Sequence, residues 1–187
     1  MTTHPSRELL HTREIVCRGY LRSDGLFDIE GQLVDSTGAP TDLPFHTVAA
    51  GGAIHDMRLV MTLDADMVIQ QIAADTATGA SPFCGEISSA YASLQGLKIG
   101  PGFKQQVKAR VGGTQGCTHI TELVERMAST AMQTMFSLIR AQASKRRASG
   151  EQSVTVRPWV VGTCHAYRED GEAVRLLWPQ GLLAQSE

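Results

Sequence analysis

Aromatic residues make up only 5% of this 187-residue chain, too few to build stacking platforms for bases. Neither sign of charge is in excess: 17 Lys and Arg against 19 Asp and Glu leave a formal net charge of -2. That balance excludes a broad basic field for nucleic acid. No apolar run approaches the roughly 20 residues that span a bilayer, so no membrane partner is expected. Met1 to Val16 interleaves His4, Arg7, Glu8, His11, Arg13 and Glu14 and lacks the apolar stretch of a secretory signal. The expected compartment is a bacterial-type cytoplasm, where the 4 cysteines stay reduced or ligate a metal. Neither CxxC nor HExxH spacing occurs, so the strongest zinc signatures are missing. What the chain does have is 42% hydrophobic and 19% charged residues, enough apolar matter for a core within one α+β domain over 1–187.

The first third reads as β-structure. Arg13 to Arg22 and Leu26 to Asp35 carry Ile15, Cys17, Leu33 and other apolar residues in partial alternation. Asp24-Gly25 lies between them and favours a tight hairpin turn, because Gly tolerates positive φ. Gly38, Pro40 and Pro44 make Ser36 to Pro44 a loop. In a second hairpin Met57, Leu59, Met61 and Leu63 alternate with Arg58, Val60 and Thr62, and Asp64-Ala65-Asp66 turns the chain into Met67 to Asp75. The spacing of Ile87, Ala90, Tyr91 and Leu94 predicts a helix over Cys84 to Gln95, and Pro101-Gly102 opens a short one with Phe103, Val107 and Val111.

The longest helix is predicted from about Thr118 to Ser144, with Ile120, Leu123, Val124, Met127, Ala131, Met135, Leu138 and Ile139 as one apolar stripe. Lys145-Arg146-Arg147 follows as a solvated basic end that complements the helix dipole. A final β-pair, Pro158 to Arg168 and Ala173 to Trp178, is predicted around Glu169-Asp170-Gly171. Strands, then helices, then strands give the α+β class. The parts are a β-hairpin region over 1–50, a β-hairpin-plus-helices core over 51–147 and the C-terminal β-pair over 153–187.

Soft and imidazole ligands gather at three element boundaries: His55-Asp56 after Gly51-Gly52, Cys84 at a helix start, and Cys117-Thr118-His119 where a Gly-rich loop feeds the long helix. A thiol at a helix start loses its proton more readily, and the thiolate binds metals or attacks electrophiles. Taken singly, Cys84 or Cys117 is more often a small buried hydrophobe than a ligand. Cys117 and His119 two residues apart, with donors at other tips, suit the roughly four converging N, S or O ligands of a zinc or iron site. Thr118 offers an N-cap hydroxyl. Glu122, at i,i+3 from His119, would orient the imidazole, ligate, or serve as a plain first-turn carboxylate. Cys164 and His165 are second-tier candidates, because neighbours in a strand point to opposite faces. Cys17 reads as core or sheet face, and His46 as a weak loop candidate.

Two resemblances follow from particular stretches. CRGYLRSDGLFDIEGQLVD, GGAIHDMRLVMTLD, LQGLKIGPGF, GGTQGCTHITELVERMA, GTCHAYRED and Trp178-Pro179 resemble an uncharacterised bacterial family known only as a domain of unknown function, over nearly the whole chain. That resemblance implies no settled activity, and only an association with aromatic-compound catabolism. Gly51 to Ala131 is more faintly similar to iron–sulfur cluster scaffold proteins: a ligand-bearing loop before a hairpin at His55, a Cys at a helix tip at Cys84, and a Cys/His pair at Cys117 and His119. In those scaffolds three cysteines plus Asp or His hold zinc or a nascent cluster. Here His55 stands where the first cysteine would be and the Cys/His pair is reversed, which suits an iron–sulfur cluster less than mononuclear Zn or Fe.

The expectation is therefore a mononuclear metal site drawn from His55, Asp56, Cys84, Cys117 and His119, with Asp56 or Glu122 as proton carrier. An open coordination position would let the metal activate water or polarise a carbonyl, making a small hydrolase or lyase that acts on a small molecule. One alternative is a metal or cluster carrier serving a client metalloenzyme, recognised by four protein ligands and no open position. The other is a metal-free ligand-binding or interaction module lined by Met57, Met61 and Met67. The oligomeric state is left open, with the long Met-rich helix available as a homodimer face.

Overall fold

Two long hairpins build the sheet of this computed structural model, which describes residues 5–149 and 160–178. β1 (His11–Leu21) and β2 (Phe27–Thr37) form the first, with Gly25 of the expected Asp-Gly turn at φ 86°. Strands β3 (Thr41–Asp42) and β4 (Thr47–Val48) make a small ladder in the following loop. β5 (Ala53–Leu63) and β6 (Ile69–Thr78) form the second hairpin, and the antiparallel order is β1-β2-β5-β6.

Alternation decides what each strand buries. The inward phase of β2 carries Phe27, Ile29 and Leu33, and that of β5 carries Met57, Leu59, Met61 and Leu63. These rows meet Ile120, Leu123, Val124, Met127 and Ala131 of the long helix α2 (Thr118–Ala148), all of them buried. Each of these side chains larger than alanine contributes about 1.5–3 kcal/mol by leaving water. The helix approaches so closely that a Cβ on Gly31 would collide with Met127 and Leu123, and one on Gly19 with Thr134.

The remaining helices follow the expected order. Cys84–Leu94 is a 3-10 helix and not an α-helix, in keeping with its Gly85, Ser88, Ser89 and Ser93, which hold an α-helix weakly. α1 (Phe103–Val111) begins after Gly102 at φ 79°. The chain forms two compact units, the first ending at Ser137 and the second beginning at Leu138.

The expected C-terminal β-pair is not formed. Val160 to Asp170 runs through turns, closed by bonds such as Gly162 N–H to Tyr167 O at 2.7 Å, and Glu172–Leu177 is the helix α3. Six residues are too short for apolar alternation to separate strand from helix. Glu172 in the first turn and Arg175 in the last both favour the helix through its dipole. Residues 158–159 of the expected strand lie outside the described residues. No helix among the described residues is long and apolar enough to cross a membrane.

Candidate metal centre

The apolar rows of the sheet end in a polar one. Arg13 of β1, Asp35 of β2 and His55 of β5 are direct cross-strand partners. They follow Ile15, Leu33 and Met57 on the face that meets α2. Asp35 is only 1% exposed and is the hub. Arg13 grips it with two bonds of 2.7 Å, from Nε to Oδ1 and from Nη2 to Oδ2. His11 Nε2 lies 3.1 Å from Oδ1 and His55 Nδ1 lies 3.0 Å from Oδ2.

The start of α2 closes the group from above. His119 Nε2 is 3.7 Å from Asp35 Oδ2, and its ring lies against that of His55 with centroids 3.8 Å apart. Glu122, one turn further on, accepts from Arg13 Nη1 at 2.8 Å. Buried Tyr91 fixes this helix start: its hydroxyl accepts the Cys117 N–H at 2.9 Å and lies 2.8 Å from both the Cys117 carbonyl and Thr121 Oγ1.

These neighbours set the protonation states. Burial alone pushes the Asp35 carboxyl up, but the Arg13 bonds and charge, with the His55 and His11 contacts, bring it down to about 2. Burial and the adjacent His55 hold the His119 imidazole below its ordinary value. At neutral pH the group is thus an ionised carboxylate beside a neutral imidazole. These are the forms in which both residues donate to a metal. Among the described residues, Asp35, His55 and His119 make the one group of three donors whose ligand atoms all lie within 4.8 Å of one another.

The residues singled out from the sequence are divided between this group and other places. His55 and His119 come together. Cys117 stands beside them, its Sγ 3.8 Å from His119 Nδ1, the nitrogen not turned towards Asp35. Asp56 points to the other face of the sheet, as the neighbour of His55 in a strand must, and accepts from Gln32 Nε2 at 2.8 Å and Arg58 Nη2 at 3.0 Å. Cys84 packs against Gly79, where an added Cβ would clash with it, and belongs to no three-donor group among the described residues. Cys164 and His165 sit exposed in the turns of the second unit, His165 Nε2 lying 3.5 Å from Arg168 Nη1.

Asp35, Arg13 and His11 were not singled out from the sequence. A signal for Asp35 was present: the inward phase of β2 reads Phe27, Ile29, Gly31, Leu33 and then Asp35. A carboxylate in that phase needs buried partners.

Beside the group, an open groove of about 530 Å³ runs between α1 and the start of α2. Glu122 and Cys117 line it together with Lys104, Lys108 and the Gly112-Gly113 backbone. Lys104 is engaged by Glu125 at 2.8 Å. Glu122 faces the groove while bonded to the arginine that holds Asp35, so it links the two.

No curated protein and no solved structure matches the chain, and the similarity to iron–sulfur scaffolds finds no counterpart among these comparisons. Residues 11–133, which contain every side chain of the Asp35 group, match the family described as protein of unknown function (DUF2889), and the chain belongs to that family.

Proposed function

We propose that Asp35, His55 and His119 hold one divalent metal ion, zinc or iron, and that the protein is a metal-dependent hydrolase or lyase acting on a small molecule. One observation carries this reading. Donors gripping an ion at about 2.0–2.2 Å lie roughly 3–3.5 Å from one another, a spacing that one pair here meets and another exceeds slightly. Asp35 Oδ2 lies 3.0 Å from His55 Nδ1 and 3.7 Å from His119 Nε2. Two imidazoles and one carboxylate are a donor set common to zinc and non-haem iron sites.

Three protein donors leave coordination positions open, which favours an enzyme over a carrier. A bound ion would supply Lewis-acid chemistry. The chain supplies the rest. Arg13 keeps Asp35 ionised and fixes both its oxygens, and Glu122 offsets the charge that Arg13 brings. Glu122, about one-third exposed and facing the groove, is placed to carry a proton to or from a molecule bound there. Aromatic catabolism is the setting that the family resemblance suggests for such a substrate.

A metal-free reading has its own observation. Both Asp35 oxygens already have a bond from Arg13 and a histidine nitrogen close by, His11 Nε2 3.1 Å from Oδ1 and His55 Nδ1 3.0 Å from Oδ2, so an Asp35–His55 dyad can form without an ion. Titration of the chelator-treated protein with Co2+, followed by visible absorption, separates the two. The metal reading predicts a single saturable site, weakened at least about 100-fold by His55→Ala or His119→Ala and little changed by Cys117→Ser. Absence of binding leaves the metal-free dyad. Binding lost with Cys117→Ser and kept with His119→Ala overturns the ligand set.

A further inference from the structure

We propose that the outer edge of β1 is the surface through which two copies of this chain pair, strand against strand, into a homodimer. The proposal is independent of whether an ion occupies the Asp35 group. The two ends of the sheet differ. At the β6 end, residues 96–99 run alongside the strand: Ile69 N–H donates to Leu97 O at 2.9 Å, Gly96 N–H to Ile69 O at 2.8 Å, and Ile99 N–H to Met67 O at 2.9 Å. At the other end, no strand among the described residues pairs with β1.

Exposed edges are normally blunted by Pro, charged side chains (Lys above all), a bulge or shortness, because free N–H and C=O groups template pairing with another chain. Of these β1 has only charges, Arg13 turned towards α2 and Glu14 and Arg18 of opposite sign on the other face. It runs 11 residues without Pro or Lys, and its register with β2 is unbroken. Of the 10 large apolar side chains exposed among the described residues, Leu9, Leu10, Val16, Tyr20 and Leu21 lie on or just before it.

The charges choose the partner and the register. Arg13 and Cys17 face α2 through Glu122 and Thr130, so Thr12, Glu14, Val16, Arg18 and Tyr20 lie on the opposite face. A two-fold axis between antiparallel edge strands must keep equivalent faces together, so the register is centred on a residue. Centred on Val16, it sets Glu14 opposite Arg18 of the partner twice over, Val16 opposite itself, and Thr12 opposite Tyr20. Centred on Glu14 or Arg18, it sets like charges together; centred on Ile15 or Cys17, it leaves both charges against uncharged residues. Glu14 and Arg18 make no ion pair among the described residues of their own chain. The strand is therefore self-complementary in one register, which fits a second copy of itself.

Sedimentation of the full chain at tens of micromolar tests this. The wild type is expected to sediment as a dimer. Glu14→Arg alone and Arg18→Glu alone each place like charges at both crossings and should weaken self-association at least about tenfold. An equimolar mixture of the two variants restores both opposite-charge crossings and should recover the dimer, which also shows that each variant is folded. A monomeric wild type overturns the proposal. So do variants that stay fully dimeric, which would move the contact elsewhere, and a mixture that stays monomeric.

Discussion

Asp28 and Asp35 lie on the same strand, and each meets an arginine and a cross-strand residue of β5, yet they do different things. Asp28 lies 3.4 Å from Arg22 Nη1 and accepts from Thr62 Oγ1 at 2.7 Å. Asp35 accepts two bonds from Arg13 and lies against His11 and His55. The separation is odd, so alternation sends them to opposite faces. Asp28, 26% exposed, lies on the solvent side; Asp35, 1% exposed, lies under α2. The same pairing is a surface ion pair on one face and the hub of a candidate centre on the other. What differs is access to water, which screens the first and leaves the second dependent on its partners.

Removing the two carboxylates should separate them most. Asp35→Ala leaves Arg13 without its main partner under α2 and should cost about 2–4 kcal/mol in urea unfolding of the metal-free protein. Asp28→Ala should cost about 1 kcal/mol, mainly through the Thr62 hydroxyl it leaves behind. Equal losses would erase the distinction.

Acid should sharpen it. The Asp35 carboxyl titrates at about 2 in the folded chain against roughly 3.9 when unfolded. The unfolded state therefore binds the proton first, and the stabilisation, complete above about pH 4, is lost as pH falls towards 2. It should amount to about 2 kcal/mol and vanish in Asp35→Asn, as read from pH-dependent melts in chelator. His119, held below its ordinary value, adds a loss of the same sign as pH falls below about 6.5.

The smallest effects are expected at the exposed partners. Glu122→Gln should cost less than about 1 kcal/mol because its bond to Arg13 is reached by solvent. Arg22→Ala should stay within about 0.5 kcal/mol. A larger loss at Arg22 than at Arg13 would invert the comparison.

The sequence made much of this legible where a long period was available. The two hairpins, the short helix at Phe103 and the long helix from Thr118 follow from alternation, the Asp24-Gly25 and Asp64-Ala65-Asp66 turns and a continuous apolar stripe. The C-terminal pair failed because Ala173 to Trp178 is too short for its apolar pattern to distinguish strand from helix. The site was half visible. His55 and His119 stand at element ends and can be picked out by residue type. Arg13 looks like one of many surface charges until register puts it opposite Asp35, and register is a property of two strands at once. Asp56 stands next to His55 in the chain, but adjacency in a strand is what separates side chains in space.

Metal content decides whether an ion sits among Asp35, His55 and His119. Protein purified without chelator or an affinity metal should carry close to one zinc or iron per chain, retained in Cys117→Ser and lost in His119→Ala. Metal content near zero, with melting unchanged by EDTA, would contradict it.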